Sequence, residues 1–176
     1  MALLERHLAF HAEHTPAEHV HALDVEALCA PDVTFLSQRD DDGTLLGVVA
    51  LKELGPSHGE LKSMHTVAAR RGEGTGRLLV EHVLALAAER GYERVSLETG
   101  TQDAYEPARR LYASCGFEPC APFAGYADDG WSACMTRSIT SAAAPATPVE
   151  GAPFPAHPPT VVCRCPGPTP RSSGLA

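Results

Sequence analysis

Long apolar runs are missing from this chain: none approaches the roughly 20 residues that span a bilayer, so no membrane anchor is expected. Blocks of positive charge are missing too. Fourteen Lys and Arg face 22 Asp and Glu, a net charge of −8, and such a surface repels nucleic acid. The six cysteines (Cys29, Cys115, Cys120, Cys134, Cys163, Cys165) lack paired zinc-type spacing. A chain of 176 residues needs no disulfide staples, so free thiols in a reducing cytosol are the expectation. Cys163 and Cys165 alone stand close enough in sequence to pair or to hold a soft metal. Glu5 and Arg6 interrupt the N-terminal apolar stretch and no small-residue cleavage site follows, which argues against a secretory leader. There is no internal repeat.

What is present fits one domain with a core. Composition changes near Ile139: residues 141–176 hold nine of the fifteen prolines and only three charged side chains, Glu150, Arg164 and Arg171. Few large apolar residues remain there to offset the entropy of ordering, so the expected organisation is a domain over 1–139 and a disordered tail over 140–176.

Within the domain, Leu3, Leu4, Leu8 and Phe10 suggest a loosely amphipathic opening helix. Thr15-Pro16-Ala17-Glu18 reads as a second helix start, with Thr15 capping and Glu18 closing a capping box. Residues 33–39, 45–54 and 60–67 read as an antiparallel meander, with a hairpin turn at Asp40-Asp41-Asp42-Gly43. Leu79, Val83, Leu86 and Ala87 give helical spacing over 74–90, ended by Gly91. A strand over 94–99, a helix from Pro107 to Gly116, and strands over 117–123 and 132–139 complete a mixed sheet flanked by helices. In 60–67, Leu61 and Val67 share a parity that Met64 breaks, and a β-bulge near residues 63–65 would bury all three.

The chemistry concentrates in Arg71-Gly72-Glu73-Gly74-Thr75-Gly76-Arg77, between a strand and a helix. Three glycines in five residues expose backbone N–H groups, and the helix start adds unpaired donors and a positive dipole end. That is an anion cradle, with Arg71 and Arg77 adding charge. A Walker loop would need Lys-Ser/Thr after Gly76, and a dinucleotide loop would need G-x-G-x-x-G; neither is present. A turn serving only strand–helix packing is the alternative reading.

Arg71-x-x-Gly74-x-Gly76 resembles the Gln/Arg-x-x-Gly-x-Gly/Ala signature of the GNAT superfamily of N-acetyltransferases, whose loop holds the pyrophosphate of acetyl-CoA. Residues 59–64, Leu97-Glu98-Thr99-Gly100 and the Ala108-x-x-Leu111-Tyr112-x-x-x-Gly116-Phe117 helix extend the resemblance. Cys120-Ala121-Pro122-Phe123-x-x-Tyr126, Ser132-x-x-Met135 and His21-Ala22-Leu23-Asp24 are similar to a YsnE-like bacterial branch. The resemblance covers roughly residues 15–138. It implies an α/β fold with a GNAT-like mixed, mostly antiparallel central sheet, bulged in its central strand. It also implies acetyl transfer from acetyl-CoA to a primary amine of a small molecule, by direct attack and without a metal.

The roles follow from the same resemblance. Tyr112 matches the family's general acid, against the alternative of a half-buried core tyrosine. Glu60 is the candidate base acting through water, against a solvated strand-end carboxylate. Backbone groups of His65, Thr66 and Val67 are expected on the pantetheine arm and thioester; Arg71, Gly72, Gly74, Thr75, Gly76 and Arg77 are expected on the pyrophosphate. His21, Asp24, Phe123, Tyr126 and Asp128 are the candidate acceptor residues. Two positions depart from the family: Glu73 stands where Lys or Arg is frequent, and Tyr105 where many members carry a helix-capping Asn. His7, His11 and His14 share helical spacing and read as a solvated face or, alternatively, a metal site. A non-catalytic acyl-CoA-binding or interaction module is the competing class, and a homodimer is compatible with the resemblance.

Overall fold

In the computed structural model, residues 2–16, 19, 21, 23–139 and 160–163 are described. They form α1 (Ala2–His14), β1 (Val33–Arg39), β2 (Leu45–Gly55), β3 (His58–Thr66), α2 (Thr75–Glu89), β4 (Arg94–Gly100), α3 (Glu106–Ser114), β5 (Glu118–Pro119), β6 (Ser132–Ser138) and β7 (Thr160–Cys163). One sheet runs β5-β6-β4-β3-β2-β1-β7, and only the β3–β4 pair is parallel.

Alternation on β1 and β2 buries both sheet faces. Leu36, Val49 and Leu51 point into the larger core with Leu79, Val80 and Val83 of α2 and Tyr112 of α3. Val33, Phe35, Val48 and Ala50 point the other way and meet Leu3 of α1 and Leu28. The helices therefore cover opposite faces, α1 on one and α2 with α3 on the other.

The bulge is present. Val48 pairs with His65 and Ala50 with Lys62, so one residue of β2 faces Ser63 and Met64 of β3. Ser63 takes a left-handed φ of 50°, unusual for a side-chain-bearing residue. The extra residue brings Met64 against the larger core beside Leu61, while Val67 packs against the smaller one. Beyond the bulge the sheet divides: β3–β4 pairing stops at Leu61↔Leu97, and Glu98, Thr99 and Gly100 continue with β6 alone.

The helix start expected at Thr15-Pro16-Ala17-Glu18 falls partly outside the described residues, which lack Ala17 and Glu18; the Thr15 hydroxyl is 2.8 Å from that of Tyr105. Two expectations change. The strand expected over 117–123 shrinks to Glu118–Pro119, because Pro122 and the turn at 124–125 divert the chain. Thr160–Cys163, placed by composition in a disordered tail, pairs antiparallel with β1. The rest of the tail, including Cys165, lies outside the described residues.

Candidate active site

A cavity of about 520 Å³ opens where β3 and β4 part. One end is the glycine loop. Gly72 and Gly74 have φ of 85° and 88°, a region costly for other residues. Gly74 provides no side-chain cap to α2, so the first N–H groups of that helix stay available to an anion. At Gly76 a Cβ would come 2.9 Å from Leu111 and 3.2 Å from Met64, so glycine lets the helix approach α3 and the bulge closely.

Arginines and one acid surround the loop. Arg71 stands exposed at its rim. Arg77 reaches across to the Ser114 hydroxyl at 2.9 Å and stays at the cavity edge. Glu73, the unexpected acid, accepts a hydrogen bond from Arg70 Nε at 2.6 Å, which offsets its charge. Thr75 is buried and lines the same end.

Along the split, His65 and Thr66 line the cavity with Ser63 and Met64. The buried Ser63 hydroxyl has no hydrogen-bond partner among the described residues, an open polar atom in the wall. Val67 differs from expectation: its N–H donates to the Leu46 carbonyl at 2.9 Å and its side chain joins the smaller core, so it is not free for a ligand. The glycine loop, the arginines at its rim and the unpartnered Ser63 hydroxyl put donors along one cavity.

Tyr112 lines the cavity from α3, with its hydroxyl 3.6 Å from Met64 Sδ. Burial raises its pKa, with Glu98 and Cys115 adding to the effect, so the phenol keeps its proton. Glu98 faces the same space from β4, one residue beyond the last β3–β4 pair. Its carboxyl pKa is raised chiefly by burial, opposed by a hydrogen bond from the Ser132 hydroxyl at 2.7 Å. Sequence reasoning passed over Glu98 although it quoted the motif containing it. Its signal was a lone acid in the strand stretch 94–99, between residues suited to burial.

Glu60 is neither solvated nor in the main cavity. It is buried and lines a neighbouring recess of about 260 Å³ with His21, Lys62 and Tyr126. The Tyr126 hydroxyl donates to Glu60 at 2.5 Å, and Lys62 Nζ lies 2.6 Å from the Tyr126 oxygen and 3.5 Å from Glu60. His21 and Lys62 line both spaces.

The other acceptor candidates scatter. Phe123 packs edge-on against Tyr126, with ring centroids 5.1 Å apart, and lines neither space. Asp24 is exposed and accepts from the Ala27 N–H at 2.8 Å, which makes it a turn former. Asp128 is exposed and lines neither space. Its neighbour Asp129 instead approaches His19 at 2.9 Å.

The N-terminal histidines do not form a solvated face. His7 is buried, and His7 and His11 both line the cavity, with ring centroids 4.6 Å apart. His14 turns back to the Phe10 carbonyl. Tyr105 ties α1 to the domain: buried, it bonds Thr15 just past the helix and His11 within it. Among the described residues, no group of three His, Cys, Asp or Glu is arranged to hold a metal ion, and no helix is long and apolar enough to cross a membrane.

This architecture of split sheet, bulge and glycine cradle has counterparts. The family model for the acetyltransferase (GNAT) family matches residues 3–117. The N-acetyltransferase YsnE of Bacillus subtilis, itself uncharacterised, is 44% identical over 139 residues, covering 79% of this chain and 91% of that one. YedL of Escherichia coli, likewise an uncharacterised N-acetyltransferase, is 40% identical over 138 residues, covering 78% and 86%. Among solved structures, an acyl-CoA N-acyltransferase of Klebsiella pneumoniae superposes with a TM-score of 0.63 at 25% identity, covering 78% and 88%. The chain belongs to the GNAT family of acetyltransferases and is an acyltransferase enzyme of the N-acetyltransferase type.

Proposed function

We propose that the enzyme transfers the acetyl group of acetyl-CoA to a primary amine of a small molecule, by direct attack of the amine on the thioester. The observation that carries this reading is the split between β3 and β4, which brings an acid and a phenol from separate elements to one space. The loop 71–77 and the start of α2 bind the pyrophosphate, and the bulged segment 63–66 lies beside the pantetheine arm.

Glu98 is suited to take the amine's proton. An ammonium is unreactive, and a carboxylate with a raised pKa accepts its proton more readily than an ordinary one. As the N–C bond forms and the C–S bond breaks, the nitrogen releases its second proton to solvent, while Tyr112 gives its own proton to the departing sulfur and is reprotonated from solvent. Burial keeps Tyr112 protonated, so it is present as an O–H donor to the sulfur as negative charge develops there. Glu60, offered by sequence as the base, is better placed to anchor Tyr126 and Lys62 at the acceptor end.

Titration calorimetry with acetyl-CoA, combined with thiol release over an amine panel, tests the reading. Binding with turnover is expected, and Tyr112→Phe should lower kcat by about 10²-fold with acetyl-CoA affinity retained. Binding without turnover of any amine would favour a non-catalytic acyl-CoA-binding module.

A further inference from the structure

Two ends of the cavity's acceptor side carry opposite character. On β4, Glu98 presents a carboxylate held by Ser132. Facing it are groups of the other sign or none: His7 and His11 from α1, and His65 and Lys62 from β3. The His7 ring sits 4.6 Å from His11 and 5.5 Å from His65, edge to face in both cases. Lys62 makes its close contact with a neutral hydroxyl, that of Tyr126, and its nearest carboxylate stands 3.5 Å away. Phe10 and Tyr105 close the wall beside the histidines, with ring centroids 5.1 Å apart.

The groups bearing on these imidazoles favour an anion. Burial and then neighbouring imidazoles and cations depress all three: His7 responds to His11, His65 and Lys62, and His11 to His65, Lys62 and His14. His65 responds to Arg71 and Arg6. No carboxylate figures among these influences. The rings are therefore neutral N–H donors near the permanent cations Lys62, Arg6 and Arg71, a poor seat for a second ammonium and a good one for a carboxylate.

We propose that the acceptor is an amino carboxylate, such as a free amino acid, whose ammonium meets Glu98 while its carboxylate is received by His7 and His11 beside Lys62. This rests on the N-acetyltransferase reading and names the substrate class for the same site. The transfer itself is unchanged: the nitrogen loses its proton to Glu98, and the carboxylate only orients the molecule.

Matched pairs test it: leucine against isoamylamine, phenylalanine against phenethylamine and lysine against cadaverine, each with acetyl-CoA and a thiol-release readout. The member carrying the α-carboxylate should have a kcat/KM higher by about tenfold or more, the range of a charge-assisted hydrogen bond. His7→Ala with His11→Ala should reduce that ratio to below about threefold while acetyl-CoA affinity stays within about twofold. Should the alanine variant fail to fold, His7→Gln with His11→Gln serves, since the amide keeps bulk but not the ring donors' position. Ratios near one, or a preference for the plain amines, overturn the amino-carboxylate assignment and leave the transferase reading intact. Absence of acetyl-CoA binding, or of turnover for every member of every pair, brings down the transferase reading and this inference with it.

Discussion

The two ends of the cavity are built on opposite plans. The phosphate end is one contiguous stretch, 71–77, in which each residue's contribution follows from its neighbours in sequence. The proposed acceptor end draws His7 and His11 from α1, Lys62 from β3 and Glu98 from β4. A local device depends on backbone dihedrals and free amides. A distributed one depends on the bulge, the sheet split and the seating of α1. Substitutions at the first should change cofactor affinity and leave proton transfer alone; substitutions at the second should do the reverse.

The sharpest division is expected from Glu98→Gln. Loss of the proton acceptor should lower kcat/KM by about 10²–10³-fold, with acetyl-CoA affinity measured by calorimetry nearly unchanged. Because burial raises the Glu98 pKa, the wild-type acidic limb should lie above the ordinary carboxylate range, activity falling as pH drops through it, and the variant should lack that limb. An acidic limb unchanged in Glu98→Gln would return the base role to Glu60 or to water.

At the other end, Gly74→Val should weaken acetyl-CoA binding by about tenfold or more, because a β-branched residue resists φ of 88° and the cradle must shift. Its single-turnover rate at saturating acetyl-CoA should stay close to wild type. A large loss in that rate would mean that the two ends are not separable.

The acceptor end should also show itself in stability. His7 and His11 titrate at about 3 and about 4 when folded, against 6.5 in the unfolded chain. Between 6.5 and about 3 for His7, and between 6.5 and about 4 for His11, the unfolded chain binds more protons, so this stability is complete above 6.5 and lost as pH falls through the window. Each histidine contributes up to about 1.4 kcal/mol per pH unit. Urea midpoints measured across the window should fall with acid, and His7→Gln should flatten the slope.

The smallest effect should come from Glu73→Ala. Its exposed pair with Arg70 is screened by water, so acetyl-CoA affinity and urea midpoint should change little. A tenfold gain in affinity would show that the Glu73 carboxylate opposes the phosphate despite its arginine.

Legibility in the sequence followed the same division. The strands over 33–39, the two central helices and the bulge all rest on local periodicity, and Met64 out of phase between Leu61 and Val67 was enough to locate the bulge. Glu60 was named as the base and Glu98 passed over, although both are acids in strands; only the point where β3 and β4 part gives Glu98 the main cavity and Glu60 the recess behind Tyr126. The histidines at helical spacing looked like a wet face, because nothing local reveals that Tyr105, 94 residues from His11, ties α1 to the domain.

The amino-acid order by itself determined the alternation of elements, the bulge and the glycine turn, since each is set by dihedral preference and hydrophobic period over a few residues. Tertiary structure alone decided which acid meets the phenol and which histidines lose their water. Those outcomes depend on burial and on distances between elements far apart in the chain, and no local pattern encodes either.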